Sequence, residues 1–115
     1  MKRRRYVVAS VIAVAGFAAL FAVLPSQGAG LKVRITGFRY QPAGIQIPAG
    51  GAVTFYNESK IVHTATCPTC RVDSGDIQPG TFHTLTFPRS GTFRLFCRYH
   101  AERGMAARLT VTPGR

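Results

Sequence analysis

Cys97, His100 and Met105 fall within one short stretch, Cys-x2-His-x4-Met, in a 115-residue chain with only three cysteines, three histidines and two methionines. A thiolate, an imidazole and a thioether so close together are soft donors that suit copper. A trigonal set of two His and one Cys with a weak axial Met is an electron-transfer geometry. Phe93, Leu95 and Cys97 share one parity, opposite Thr92, Arg94 and Arg98, so Cys97 is expected to point inward at a strand end. A thiolate is costly there without a cation beside it. The second imidazole must come from elsewhere. His63, directly after Ile61-Val62, sits in a connection expected at the same end of the fold. His83 lies in a strand away from this loop and reads as structural or solvent-facing.

Cys67 and Cys70 are separated by two residues, and an odd cysteine count in an exported chain leaves one unpaired. These two are natural partners for a disulfide that staples the loop after His63, with Cys97 left free. A thioredoxin-like role needs a helix N-terminus in a βαβ setting, which this stretch lacks. The alternative for Cys67 and Cys70 is a second soft-metal site holding Cu(I) for storage or delivery.

The elements that must hold these residues are short alternating runs punctuated by Gly and Pro, with no sustained helical period. Leu31, Val33 and Ile35 alternate with Lys32, Arg34 and Thr36. Ile45 and Ile47 begin a second run, and Ala52 to Asn57 form a third. Phe82 to Phe87 and Thr92 to Cys97 flank the turn Pro88-Arg89-Ser90-Gly91, and a last strand runs from about Ala107 to Thr112. Turn residues at 41–44, 73–76 and 78–80 separate these runs. The pattern predicts an all-β chain folded as a Greek-key antiparallel β-sandwich.

The N-terminus reads as an address. Lys2 to Arg5 precede an almost wholly apolar run from Tyr6 to Leu24, and Pro25 and small residues follow. Residues 1–30 are therefore expected to be a signal peptide, or an uncleaved membrane anchor if the apolar run is retained. Arg3-Arg4-Arg5 also weakly resembles a twin-arginine export signal. Residues 31–115 form the folded domain, too small for a dinucleotide fold or a barrel enzyme. Four of the 15 Lys and Arg lie in the leader, so residues 31–115 carry 11 against four acidic residues, a net of +7, which suits steering toward an acidic partner or an anionic membrane face. Nucleic-acid binding is disfavoured because the cations are scattered along strands rather than clustered.

At these residues the chain resembles the cupredoxins, the small blue copper proteins, of the plastocyanin and pseudoazurin type. Phe38 to Pro42 with Ile45 to Gly50 resembles their opening strands, and Val53 to Asn57 followed by His63 to Thr66 resembles the strand leading to their first histidine. Asp73-Ser74-Gly75 with Pro79-Gly80 is similar to their mid-domain turn, and Gly91 to Cys97 with His100 and Gly104-Met105 is similar to their ligand loop. The resemblance spans Leu31 to Thr112. It implies one type 1 copper ion held by His63, Cys97, His100 and Met105, in a monomeric electron carrier that is not an enzyme and works outside the cytoplasm. Its redox partners would bear an acidic docking patch facing Arg98 and Arg103, with electrons leaving through the edge of His100 within an apolar patch of Gly104, Met105 and Ala106. Two positions depart from the family. Tyr99 stands where Pro is usual, restoring a backbone N–H near the Cys97 sulfur and predicting a raised reduction potential. Thr64 stands where Asn is frequent, which puts the side-chain bond tying the ligand loop in question.

Overall fold

A computed structural model describes residues 30–114; the expected signal or anchor segment, apart from Gly30, lies outside the described residues. Nine strands make up the domain: β1 (Leu31–Thr36), β2 (Arg39–Gln41), β3 (Gly44–Pro48), β4 (Gly51–Asn57), β5 (Thr66–Cys67), β6 (Val72–Asp73), β7 (Phe82–Phe87), β8 (Gly91–Phe96) and β9 (Ala106–Thr112). The long strands follow the alternation of the sequence. The very short β2, β5 and β6 carry too few residues to show a period.

The strands form two sheets, ordered β2-β1-β4-β7 and β3-β9-β8-β5-β6. The expectation of an antiparallel sandwich needs correction, because both sheets are mixed. β1 runs parallel to β4, with Val33 opposite Phe55, and β3 runs parallel to β9, with Ile45 opposite Leu109. After β1 and β2 the chain crosses to the other sheet as β3 and returns as β4, so β4 arrives in the same direction as β1. Side-chain alternation specifies which face a residue takes, and it is blind to strand direction.

The inner faces meet in one core. Val33, Ile35, Val53, Phe55, Leu85 and Phe87 from the first sheet pack with Ile45, Ile47, Leu95, Leu109 and Val111 from the second. Each such side chain contributes about 1.5–3 kcal/mol of burial. This core makes a rigid floor beneath the loops at one end of the sandwich. Among the described residues no helix is long and apolar enough to cross a membrane.

Candidate metal centre

Cys97 follows the last residue of β8 on the inward parity of Leu95 and is fully buried. Beyond it the chain closes a tight loop. The His100 amide donates to the Cys97 carbonyl at 3.2 Å, and the Cys97 amide donates to the Met105 carbonyl at 3.2 Å. A 3₁₀ turn at Ala101–Arg103 ends at Gly104, whose φ of 80° returns the chain toward β9; a left-handed residue at a helix end favours glycine. His63 is fixed from the other side by a two-way backbone bridge, its carbonyl accepting from Ile77 at 2.7 Å and its amide donating at 3.2 Å.

These two loops bring three donors together. Sγ of Cys97 lies 3.3 Å from Nδ1 of His100 and 3.7 Å from Nδ1 of His63, and one donor atom from each of the three residues falls within 4.8 Å of the others. Met105 is fully buried, and its carbonyl is the acceptor that closes the Cys97 loop. His83 is exposed in β7, away from this cluster. His63 is also fully buried, and its Nε2 has no hydrogen-bond partner. Burial, and then the neighbouring His100, hold its pKa below the ordinary histidine value, while the Gly37 backbone pulls less strongly the other way. The lowered pKa favours the neutral imidazole, the form that ligates metal.

A set of hydrogen bonds ties the two loops to each other. Oγ1 of Thr64 accepts from the Arg98 amide at 2.9 Å and lies 2.9 Å from Oγ1 of Thr66, so the residue after His63 is fastened to the residue after Cys97. Thr64 thus supplies a loop-tying side-chain bond at a position where the family often has Asn. The buried hydroxyl of Tyr40 donates to the Thr64 carbonyl at 2.6 Å. Burial, then the nearby Cys97, raise the pKa of this phenol well above its ordinary value. Sequence reasoning missed Asn57, which is almost fully buried and holds the loop carrying His63: its Nδ2 donates to the carbonyls of Ile61 and Ile77 at 2.9 and 2.8 Å, and its Oδ1 accepts from the Ser59 amide. The available signal was an Asn at the end of a strand with Ser two residues on, a local turn pattern. Cys67 and Cys70 are joined as a disulfide, both buried, and Cys97 is the free cysteine.

The surface around His100 differs from the expected apolar patch in two respects. Met105 is not part of it, because the inward turn at Gly104 buries the side chain. Phe38, unmarked in the sequence, takes that place: Gly37, at φ 57°, turns the chain between β1 and β2, and the Phe38 ring packs edge-on against His100 with centroids 4.8 Å apart. The Arg103 guanidinium lies over the Phe38 ring at 4.5 Å. Arg98 donates to Asp73 at 2.7 Å, and both side chains stay exposed at the surface. The Tyr99 hydroxyl donates to Asp76 at 2.6 Å.

No family model matches this sequence. The chain is 28% identical over 107 residues to the chloroplastic plastocyanin of Fritillaria agrestis, covering 78% of this chain and 64% of the relative, so it spans less than two thirds of that protein. It is 26% identical over 123 residues to the plastocyanin of Prochlorothrix hollandica, covering 96% of this chain and 93% of that one. Among solved structures, a purple cupredoxin from Nitrosopumilus maritimus superposes with a TM-score of 0.61 at 21% identity, over 71% of this chain and 99% of that one. A mixed β-sandwich with two imidazoles and a buried thiolate converging at one end has the cupredoxin fold. Its sequence relatives are plastocyanins.

The cofactor of the cupredoxins is a single copper ion, and the donor cluster fits one. Taking bonds near 2.0 Å to imidazole nitrogen and 2.3 Å to thiolate sulfur, donors about 120° apart lie about 3.7 Å from each other. The two N···S separations, 3.3 and 3.7 Å, are of this size.

Proposed function

We propose that this protein carries single electrons between redox partners, and that His63, Cys97, His100 and Met105 would hold one type 1 copper. The observation that carries this reading is the convergence of both Nδ1 atoms on one buried sulfur. Bound copper supplies a one-electron couple. The chain supplies three soft-to-borderline donor types and a scaffold that holds them in place. The backbone bridge at His63, the Thr64 tie and the closed Cys97–Met105 loop hold the donors so that a change of charge moves them little. His100 is half-buried beside the exposed Phe38, so its ring offers the edge closest to a docked partner.

In this reading the protein is an electron carrier rather than an enzyme, and its leader sends it outside the cytoplasm. It works as a monomer and meets partners with acidic surfaces. It does not bind nucleic acid, and it touches the membrane only through a retained N-terminal segment. The storage or delivery alternative is not favoured, because the disulfide leaves Cys67 and Cys70 without thiolates to offer metal.

The test is the visible and EPR spectrum after addition of one equivalent of Cu(II). An intense thiolate-to-copper band that bleaches with reductant and returns with oxidant is expected. A colourless sample, or a band that persists when Cys97→Ser replaces the thiolate, refutes the assignment.

A further inference from the structure

The outer face of the second sheet carries a feature that the metal cluster does not use. Arg94 in β8 and Arg108 in β9 stand directly opposite each other, both exposed. Like charges in register across two strands destabilise a sheet unless something neutralises them. Nothing in the described residues does so. Of the four acidic residues, Glu58 is paired with Arg34, Asp73 with Arg98, Asp76 with the Tyr99 hydroxyl, and Glu102 lies in the 3₁₀ turn. The Arg94 guanidinium rests over the Phe96 ring at 5.2 Å, and the residue beside Arg108 in β3 is Gly44, which has no side chain to cover it.

Both arginines line an open depression of about 430 Å³, together with Ala43, Phe93, Ala106 and Ala107. Ala43 forms one wall, held by the Arg108 amide donating to its carbonyl at 2.8 Å. The volume is within the range of binding pockets, about 300–1,000 Å³. The depression holds none of the four proposed ligands, yet Ala106 directly follows Met105, so it adjoins the ligand loop.

We infer that this depression is a docking site for an acidic polypeptide segment, an apolar side chain filling the floor and flanking carboxylates pairing with Arg94 and Arg108. Two planar guanidinium forks match carboxylate geometry, and a concave apolar floor suits one inserted side chain better than a flat array of lipid headgroups. The site gives the proposed carrier a basic docking surface on the sheet face, apart from Arg98 and Arg103. It rests on the electron-transfer reading only for its redox meaning; peptide binding there needs no copper.

The test is a titration of the ¹⁵N-labelled full chain, with and without copper, against the capped peptide Asp-Glu-Phe-Glu-Asp. Amide shifts are expected along 92–96 and 106–108 in both forms. Binding should weaken as the screening length falls from about 30 Å at 0.01 M salt to about 8 Å at 0.15 M. The double variant Arg94→Glu/Arg108→Glu, and Arg94→Gln/Arg108→Gln as a gentler pair, should lose at least about tenfold in affinity with a native-like spectrum. Arg89→Glu, in the β7–β8 turn, should bind as wild type. The inference is overturned if no shifts appear, if they centre on Arg98 to Arg103, or if the double variants bind unchanged. It is also overturned if phosphatidylglycerol vesicles bind through Arg94 and Arg108 while the peptide does not, which would make the face a membrane surface. Failure of the copper spectrum leaves this outcome untouched, because the metal-free titration decides it.

Discussion

Replacing Thr64 by Val removes one oxygen while keeping the shape of the side chain, and so isolates the tie between the two ligand loops. In the wild type Oγ1 of Thr64 accepts from the Arg98 amide and shares a hydrogen bond with Thr66 in a fully buried setting. The variant leaves the partly buried Arg98 amide without its acceptor, at a cost of about 1–3 kcal/mol. Thr66 keeps its bond to Asp73 Oδ1 at 3.2 Å, so its share of the loss is small. A total of about 2 kcal/mol lowers the melting temperature of a domain this size by about 10 °C. Thermal denaturation gives that sum, and amide hydrogen exchange localises it: Arg98 loses protection in Thr64→Val and keeps it in Thr64→Ser, which retains the oxygen. Thr54→Val, which breaks the exposed hydroxyl pair with Thr84, should stay within about 0.5 kcal/mol of wild type. The reasoning is refuted if Thr64→Val melts within a degree or two of wild type, or if Arg98 exchange is the same in all three proteins.

Further expectations concern the rest of the site and its supports. Tyr99→Pro removes the backbone N–H expected beside the Cys97 sulfur, and an N–H···S bond there worth about 0.5–1 kcal/mol would make the variant's reduction potential about 20–40 mV lower; Tyr99→Phe, which loses only the Asp76 contact, serves as control, and a potential unchanged or raised in the Pro variant contradicts the idea. Burial alone would raise the Asp73 pKa, but the Gly75 amide, Arg98 and Thr66 bring it below the ordinary value. Its stabilising share is therefore present above the unfolded value of about 3.9 and lost as pH falls through the lower folded value. Stability measured between pH 5 and about 2 should fall less steeply in Asp73→Asn, and an unchanged slope would refute that linkage. The double variant Cys67→Ser/Cys70→Ser should cost about 2 kcal/mol, the loop-closure value for so short a ring, while still binding one copper per chain; equal stability, or a second copper bound by the wild type, would count against the staple reading.

Much of the candidate site was legible because its chemistry is local. Cys97, His100 and Met105 lie in one loop, and the parity of Phe93, Leu95 and Cys97 already pointed the thiolate inward. The alternation of Leu31 to Thr36 and of Ala107 to Thr112 identified half-buried strands, and the pairing of Cys67 with Cys70 followed from their spacing. Other features depended on residues distant in sequence. Phe38 comes to rest on His100 only because the β1–β2 turn lies over the ligand loop. Arg98 pairs with Asp73, twenty-five residues earlier, a contact that no local pattern shows.

By itself the sequence determined which donor types lie close together, the faces of the long strands and the resemblance to the cupredoxins, since donor chemistry and a two-residue period are properties of neighbours along the chain. Tertiary structure alone decided the parallel pairing of β1 with β4 and β3 with β9, the burial of Met105, the Thr64 tie between loops and the unneutralised Arg94–Arg108 pair. Each of these is a relation between segments far apart in sequence, set by the side-chain packing between the two sheets and by backbone hydrogen bonding within each.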